Sequence, residues 1–184
     1  MSDLVPLTGE PLALDLVNTR PTVGELLATP EDLRAWVAMQ AERLPDAPEK
    51  ITPTELAAVH AVREHAARAL EHGRHGTRPS QTDLDALNEA QRSAPAISEV
   101  AWNGTGLTVT RRRGGSSAEQ LAAWLAEATA ELLADPAITR IRQCEADDCV
   151  LLFLPAHPRR RWCSAARCGN RMRVARHYQR NRAG

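Results

Sequence analysis

The hydrophobic and polar positions repeat with helical spacing over most of the chain. Thr29-Pro30-Glu31-Asp32 offers a capping hydroxyl, a proline at the first helical position and acids in the first turn; Leu33, Trp36, Val37 and Leu44 follow at helical spacing, which predicts a helix over 30–43. Thr52-Pro53-Thr54-Glu55 repeats the device and opens a long helix to about Glu71, with Leu56, Val59, Val62, Ala66 and Leu70 as its apolar positions and Gly73 and Gly76 as its end. Ser80 to Asp83 starts a third helix, where Leu84 and Leu87 form a narrow stripe. Between 97 and 113 helical spacing gives way to alternation. Ile97 to Trp102 and Leu107 to Thr110, joined by Asn103-Gly104-Thr105-Gly106, read as a β-hairpin. Ser116 caps a helix over 117–134, whose stripe is Leu121, Trp124, Leu125, Ala128 and Leu132, and Asp135-Pro136 stops it. Residues 10–20 fit two readings: Leu12, Leu14 and Leu16 alternate as in a strand, and the same stretch suits a short buried helix. The chain therefore reads as mainly α, with a helical N-terminal domain over 1–138 that carries one β-hairpin and has Trp36, Trp102 and Trp124 in its core.

Beyond residue 138 cysteines set the pattern. All four lie between 144 and 168 as two C-x4-C pairs, Cys144 with Cys149 and Cys163 with Cys168. Four thiolates on one soft divalent ion require two tight turns that each present two sulfurs, and this spacing supplies them. No apolar run approaches a membrane span, and the N-terminus lacks the basic and apolar regions of a signal peptide, so a reducing cytoplasm is expected. There, paired cysteines form a metal site more often than disulfides. One structural zinc ion leads; two disulfides, an iron–sulfur cluster or a redox-switching zinc site compete with it. Residues 138–143 and 150–154 read as short extended segments, and the stretch beyond Cys168 as a helix, giving a small module over 139–184 that ends in a basic helix.

A formal net charge of zero conceals a strong asymmetry. Residues 1–139 hold 12 basic and 20 acidic groups, a net −8, whereas residues 140–184 hold 11 basic and 3 acidic groups, a net +8. After Cys149 there are nine arginines and no acid. That distribution suits a nucleic-acid-binding end on a sensing or regulatory body. Because the chain has 22 Arg and a single Lys, the absence of acids says more than the abundance of arginine.

Arg161-Trp162-Cys163-Ser164 followed by Cys168-Gly169-Asn170-Arg171, behind a cysteine pair and Leu152-Phe153, resembles the CGNR zinc-finger module of bacterial proteins. In that family the module follows a domain called ABATE, described as a stress-induced transcription regulator. The segment Leu14-Asp15-Leu16-Val17-Asn18-Thr19 is similar to that domain's opening motif, so the resemblance spans essentially the whole chain. Two departures, Leu154-Pro155 in place of the usual Asp after the Phe and Ala165 in place of the common Met, bear on the connecting loop and leave every cysteine in place. The resemblance implies that Cys144, Cys149, Cys163 and Cys168 ligate zinc and that the module binds DNA.

Four thiolates on a divalent zinc leave a local charge of −2, and Arg161, Arg167 and Arg171 lie close enough in sequence to offset it. At about 100° per residue, Cys168, Arg171, Met172, Ala175 and Tyr178 share one side of the last helix, and Arg173, Arg176, His177 and Arg180 the other. With Arg159 and Arg160, the outer Arg173, Arg176 and Arg180 form a patch suited to phosphates. Asp15, Asn18 and Thr19 are candidates for a ligand pocket, although capping or turn hydrogen bonds explain them equally well. No catalytic triad, phosphate loop or paired-carboxylate motif stands out. The expected protein is a non-enzymatic transcription regulator, possessing a DNA-binding zinc module and a body that senses a small molecule or oligomerises, a homodimer among the forms expected. An interaction module docking on an acidic partner such as the transcription machinery is the alternative, and a thiolate redox sensor or enzyme comes third.

Overall fold

Each long helix begins on a cap its own sequence supplies. In the computed structural model, which describes residues 5–175, α1 spans Leu12–Val17, α2 Pro30–Met39, α3 Pro53–Arg74, α4 Gln81–Ser93 and α5 Ser117–Ala134. Reciprocal capping boxes start α2 (Thr29 with Asp32), α3 (Thr52 with Glu55) and α5 (Ser116 with Glu119), and Ser80 caps α4 through the Asp83 N–H. Glu55 also accepts the Ser117 hydroxyl at 2.6 Å, tying the starts of α3 and α5 together. That bond, ahead of those from Thr52, holds its carboxyl down to about 2.

Burial settles what periodicity left open or misplaced. Residues 12–17 are a helix because Leu12, Ala13, Leu14, Asp15 and Leu16 are buried on every side, a setting in which alternation carries no information. Helix α2 ends at Met39, short of 43, because Gln40 leaves helical geometry and its side chain turns inward to Asp15. Of the two glycines expected to end α3, only Gly76, with φ +66, does so. Gly73 lies inside the helix, where an added Cβ would come within 3.0 Å of Ile138 and 3.1 Å of Leu133, so its lack of a side chain makes room for packing.

Helix α5 packs on α3 and α4, and α1 lies against α3 and α5. Their shared core includes Leu16, Leu27, Leu33, Trp36, Val59, Leu87, Leu121 and Leu125. Strands β1 (Ala96–Trp102) and β2 (Leu107–Arg113) form the hairpin, with Val100 opposite Val109 and Trp102 opposite Leu107. Only Trp36 of the three core tryptophans is fully buried: Trp102 is 66% exposed on the hairpin, and Trp124 is half-buried beneath the Arg113 guanidinium, 5.5 Å from its ring centre. No helix among the described residues is long and apolar enough to cross a membrane.

After α5 a 3-10 turn, Pro136–Arg140, replaces the start of the extended segment expected at 138 and leads into β3 (Arg142–Gln143), which pairs antiparallel with β4 (Leu152–Phe153). Ala13, Leu14, Leu70, Leu132, Ile138, Ile141 and Leu152 form one buried cluster, so the C-terminal module shares a core with the body. The junction is also polar. Asn18 donates to the Leu152 carbonyl and accepts from its N–H, both at 2.8 Å, standing in for a strand beside β4. Glu10 accepts the Leu154 N–H at 2.9 Å, which places one of the two family departures at the seam.

The three residues read as a ligand pocket are therefore structural. Asp15 is fully buried and accepts the N–H groups of Gly9 and Glu10, the Gln40 amide and the Arg43 guanidinium. Thr19, also fully buried, donates to the Leu16 carbonyl and accepts from Arg63. All three are saturated by protein groups. Replacing Asn18 with Ala strands the Leu152 N–H and C=O in a buried setting, and we expect it to lower unfolding stability in urea by about 2–3 kcal/mol. It should also speed proteolysis of the module ahead of the body.

Candidate metal centre

Two short devices bring the cysteines together. The pairing of β3 with β4 forces the chain to reverse between them, and Cys144 N–H to Leu151 C=O and Cys149 N–H to Ala146 C=O, both 2.9 Å, close that turn with its two sulfurs on one side. For the second pair, Ser164 caps a helix that opens in wide π form over Ala165–Gly169, with the Gly169 N–H on the Ser164 carbonyl at 3.0 Å. The helix then continues in α form over 170–175. It thus starts before Cys168, and its first turn carries that sulfur to within 3.6 Å of the Cys163 sulfur. Gly169 accommodates a close approach: a Cβ there would stand 3.2 Å from the Trp162 indole, which would have to shift by a few tenths of an ångström.

The four ligand atoms lie within 4.8 Å of one another, and none forms a disulfide. Tetrahedral zinc, with Zn–S bonds of about 2.3 Å, requires sulfurs about 3.8 Å apart; Cys149 to Cys163 measures 3.9 Å and Cys163 to Cys168 3.6 Å. Donor set and spacing both fit that ion. Cys144, Cys163 and Cys168 are buried, Cys149 partly so, in a cluster completed by Ala146, Leu151 and Phe153. Without a cation the sulfurs compete for ionisation. The hydrogen bond from Cys163, outweighing the opposing effect of burial, draws the Cys149 thiol down to about 5. Cys163 is pushed far up, first by its bond to Cys149, and burial foremost raises Cys168 to about 11.

The arginines around the site separate by partner. Arg171 spans Asp148, at 2.5 Å, and the Cys168 sulfur, at 3.5 Å, as a counter-charge should. Arg161 pairs with Glu145 at 2.5 Å and lies over the Trp162 ring, beside the site and off its sulfurs. Arg167, expected to balance the thiolates, instead donates to the Val5 carbonyl at 2.6 Å. Arg160, expected on the outer patch with no acid nearby, turns inward: it pairs with Glu10 at 2.6 Å, donates to the Trp162 and Cys163 carbonyls, and stacks 4.4 Å from the Phe153 ring centre. No local pattern signals that bond, because Glu10 lies 150 residues away in the chain.

Arg159 and Arg173 do lie exposed, and among the described residues Arg173 bonds to Asn170 and the Gly169 carbonyl alone. Arg176 and Arg180, with His177 and Tyr178, fall outside the described residues. Two exposed cations escaped the sequence reading because they precede the cysteines. Arg142 reaches the Pro158 carbonyl at 3.0 Å and Arg140 the Pro155 carbonyl at 3.4 Å, so both converge on the loop that carries Arg159. None of these three is bonded to a carboxylate among the described residues.

A family model named ABATE, with the description "Putative stress-induced transcription regulator", matches residues 10–136, and a CGNR zinc-finger model matches residues 140–181. The first covers well over half of the chain, which therefore belongs to the ABATE family and carries a C-terminal CGNR zinc finger. A search of curated proteins finds no match. Cys144, Cys149, Cys163 and Cys168 hold one structural zinc ion.

Thiolates bind the metal and thiols do not, so zinc loading at neutral pH must expel protons from Cys163 and Cys168, whose ionisation is pushed up. Calorimetric titration in buffers of different ionisation enthalpy should show at least two protons released per zinc, and affinity should fall as pH falls. Gly169→Ala, which crowds Trp162, should weaken zinc retention against a chelator while leaving all four sulfurs in place.

Proposed function

We propose that this ABATE-family protein is a cytoplasmic, non-enzymatic transcription regulator whose zinc module binds DNA. The observation that carries the reading is the cation cluster of Arg140, Arg142 and Arg159 around one loop, bonded to neutral carbonyls or to no described partner, with Arg173 exposed on the adjacent helix. Guanidinium groups held by neutral oxygens keep their full charge for phosphates. The zinc has a structural part: it fixes the β3–β4 turn and the helix start, and with them the bases of these side chains.

The N-terminal domain then senses a small molecule or mediates assembly. An open groove of about 440 Å³ at the seam, lined by Pro11, Leu12, Arg43, Trp124, Glu127 and Leu154, supports the sensing role. Arg43 bonds both Asp15 and the Glu10 carbonyl. A ligand that drew Arg43 away would therefore loosen the segment whose Glu10 side chain holds Leu154 and Arg160 in the module. The same unneutralised cations also suit an acidic protein surface, the second reading, which a nuclease-resistant pull-down dependent on Arg142 and Arg173 would favour.

Binding selection from random duplex DNA with zinc-loaded protein tests the first reading. Arg142→Ala and Arg173→Ala should each weaken binding nearly uniformly across sequences and reduce the salt-dependence slope by about 1. Fully zinc-loaded protein that binds no duplex at low salt would refute it.

A further inference from the structure

Two grooves meet on Trp124. The one at the seam shares Arg43, Arg111 and that indole with a second, of about 730 Å³, which lies at the base of the hairpin and is bounded by the loop after α2 at Pro45 and Asp46. Both volumes are those of small-molecule sites. Charge is sorted along them. Glu127, Glu131 and Asp135 line the seam groove, whereas at the hairpin Arg111 and Arg113 project from the same face of β2 and Asp46 is the one acid in the lining.

The hairpin end is short of negative charge. Arg111, at 2.7 Å, and Arg113 both bond to a single carboxylate, that of Glu127. Arg113, whose side chain is only 8% exposed, donates otherwise to the neutral Ala94 carbonyl at 2.8 Å. Burial first, and then the adjacent Arg111 charge, pushes its guanidinium down from the usual arginine range. No other group nearby makes up the difference. Arg112 points to the opposite face of the strand and pairs with Glu99 at 3.0 Å, Arg43 is held by Asp15, and Asp46 lies exposed at the rim, outside the ion pairs of Arg111 and Arg113.

We infer that this cleft binds a small aromatic monocarboxylate, its ring against the Trp124 indole and its carboxylate on Arg111 and Arg113 beside Glu127. Each part has its reason. The planar fork of a guanidinium matches a carboxylate, and two of them here share one. A half-buried indole gives a planar ring a flat apolar surface to stack on. Glu127 and Asp46 stay in the site, so a single negative charge suits it better than two. The inference rests on the sensing role proposed for the N-terminal domain and gives that role a ligand class. An anion is also the chemistry that competes with Asp15 for Arg43, which lines both grooves.

The test is calorimetric titration of the full-length, zinc-loaded chain with 2-naphthoate, which should bind with a Kd of about 1 mM or below. Acetate, which lacks the ring, and 2-naphthamide, which lacks the charge, should each bind at least tenfold more weakly. Arg111→Gln, a change at an exposed side chain, should weaken naphthoate binding to the same degree. Glu127→Gln removes the competing carboxylate and should tighten it severalfold, a gain that a purely structural ion pair does not give. Naphthoate that fails to bind at about 10 mM, binds no better than its amide, or binds Arg111→Gln as well as the wild type would overturn the inference. Preference for the amide would do so while leaving the sensing role intact. Naphthoate that binds as expected yet leaves duplex-DNA affinity unchanged would support the site and count against the sensing role alone.

Discussion

Everything in this structure depends on enclosing α1. Six residues long, it lies against α3, α5 and β4, and it is buried on every side. A helix so short has no stability of its own in water, so its stability comes from the partners it satisfies. Leu12 and Leu16 enter the body's core, whereas Ala13 and Leu14 enter the cluster shared with Ile138, Ile141 and Leu152. The polar residues of the same segment complete the joint. Asp15 gathers four donors, Thr19 takes a buried arginine, and Asn18 supplies a paired amide to Leu152. Losing any one leaves buried groups unsatisfied, which costs more than the bond itself is worth in water.

That double duty explains which parts of the chain were legible in its sequence. Caps and stripes located α2 to α5 because those signals are local and each helix keeps one face toward solvent. The hairpin was legible for the same reason, its turn residues and alternation lying within a few positions of each other. Segment α1 was not, because a helix buried all round has no polar face to report its period. The roles of Asn18 and Glu10 were out of reach, since their partners lie 134 and 144 residues away. At the metal site the ligands were fully legible, because thiolate spacing is itself the requirement. The destinations of Arg160 and Arg167 were not: a side chain with so long a reach can find a carbonyl or a distant carboxylate that sequence proximity never shows.

The module shows why a metal was needed at all. Apart from Phe153, Leu151 and Ala146, its buried cluster is sulfur, with Trp162 and Met172 packed at the edge. So few apolar side chains cannot offset the entropy of ordering a loop-rich segment of some thirty residues. Zinc supplies what the core lacks, while the shared cluster and the Asn18 amide hold the assembled unit on the body. Two independent attachments follow: the metal orders the module internally, and α1 orients it.

Orientation matters because of charge. The body carries −8 and the module +8, so a duplex approaching the protein is repelled by one part and attracted by the other. Between exposed groups farther apart than about 8 Å, salt at physiological strength removes most of that field, which leaves the short-range arrangement at the seam to decide how the two parts act on each other. There the opposite charges are not left to diffuse attraction. Glu10 of the body pairs with Arg160 of the module, and the nearby Arg43 is held by Asp15. The first pair crosses the seam and helps fix the angle between the two parts, whereas the second lies within the body and holds Arg43 beside it. The cations left outside, Arg140, Arg142, Arg159 and Arg173, are those the seam does not consume, and among the described residues none of them pairs with a carboxylate. A change at α1 would therefore loosen the attachment of the module and disturb the Glu10 carboxylate that Arg160 pairs with, while the Trp162 and Cys163 carbonyls and the Phe153 ring keep that guanidinium within the module.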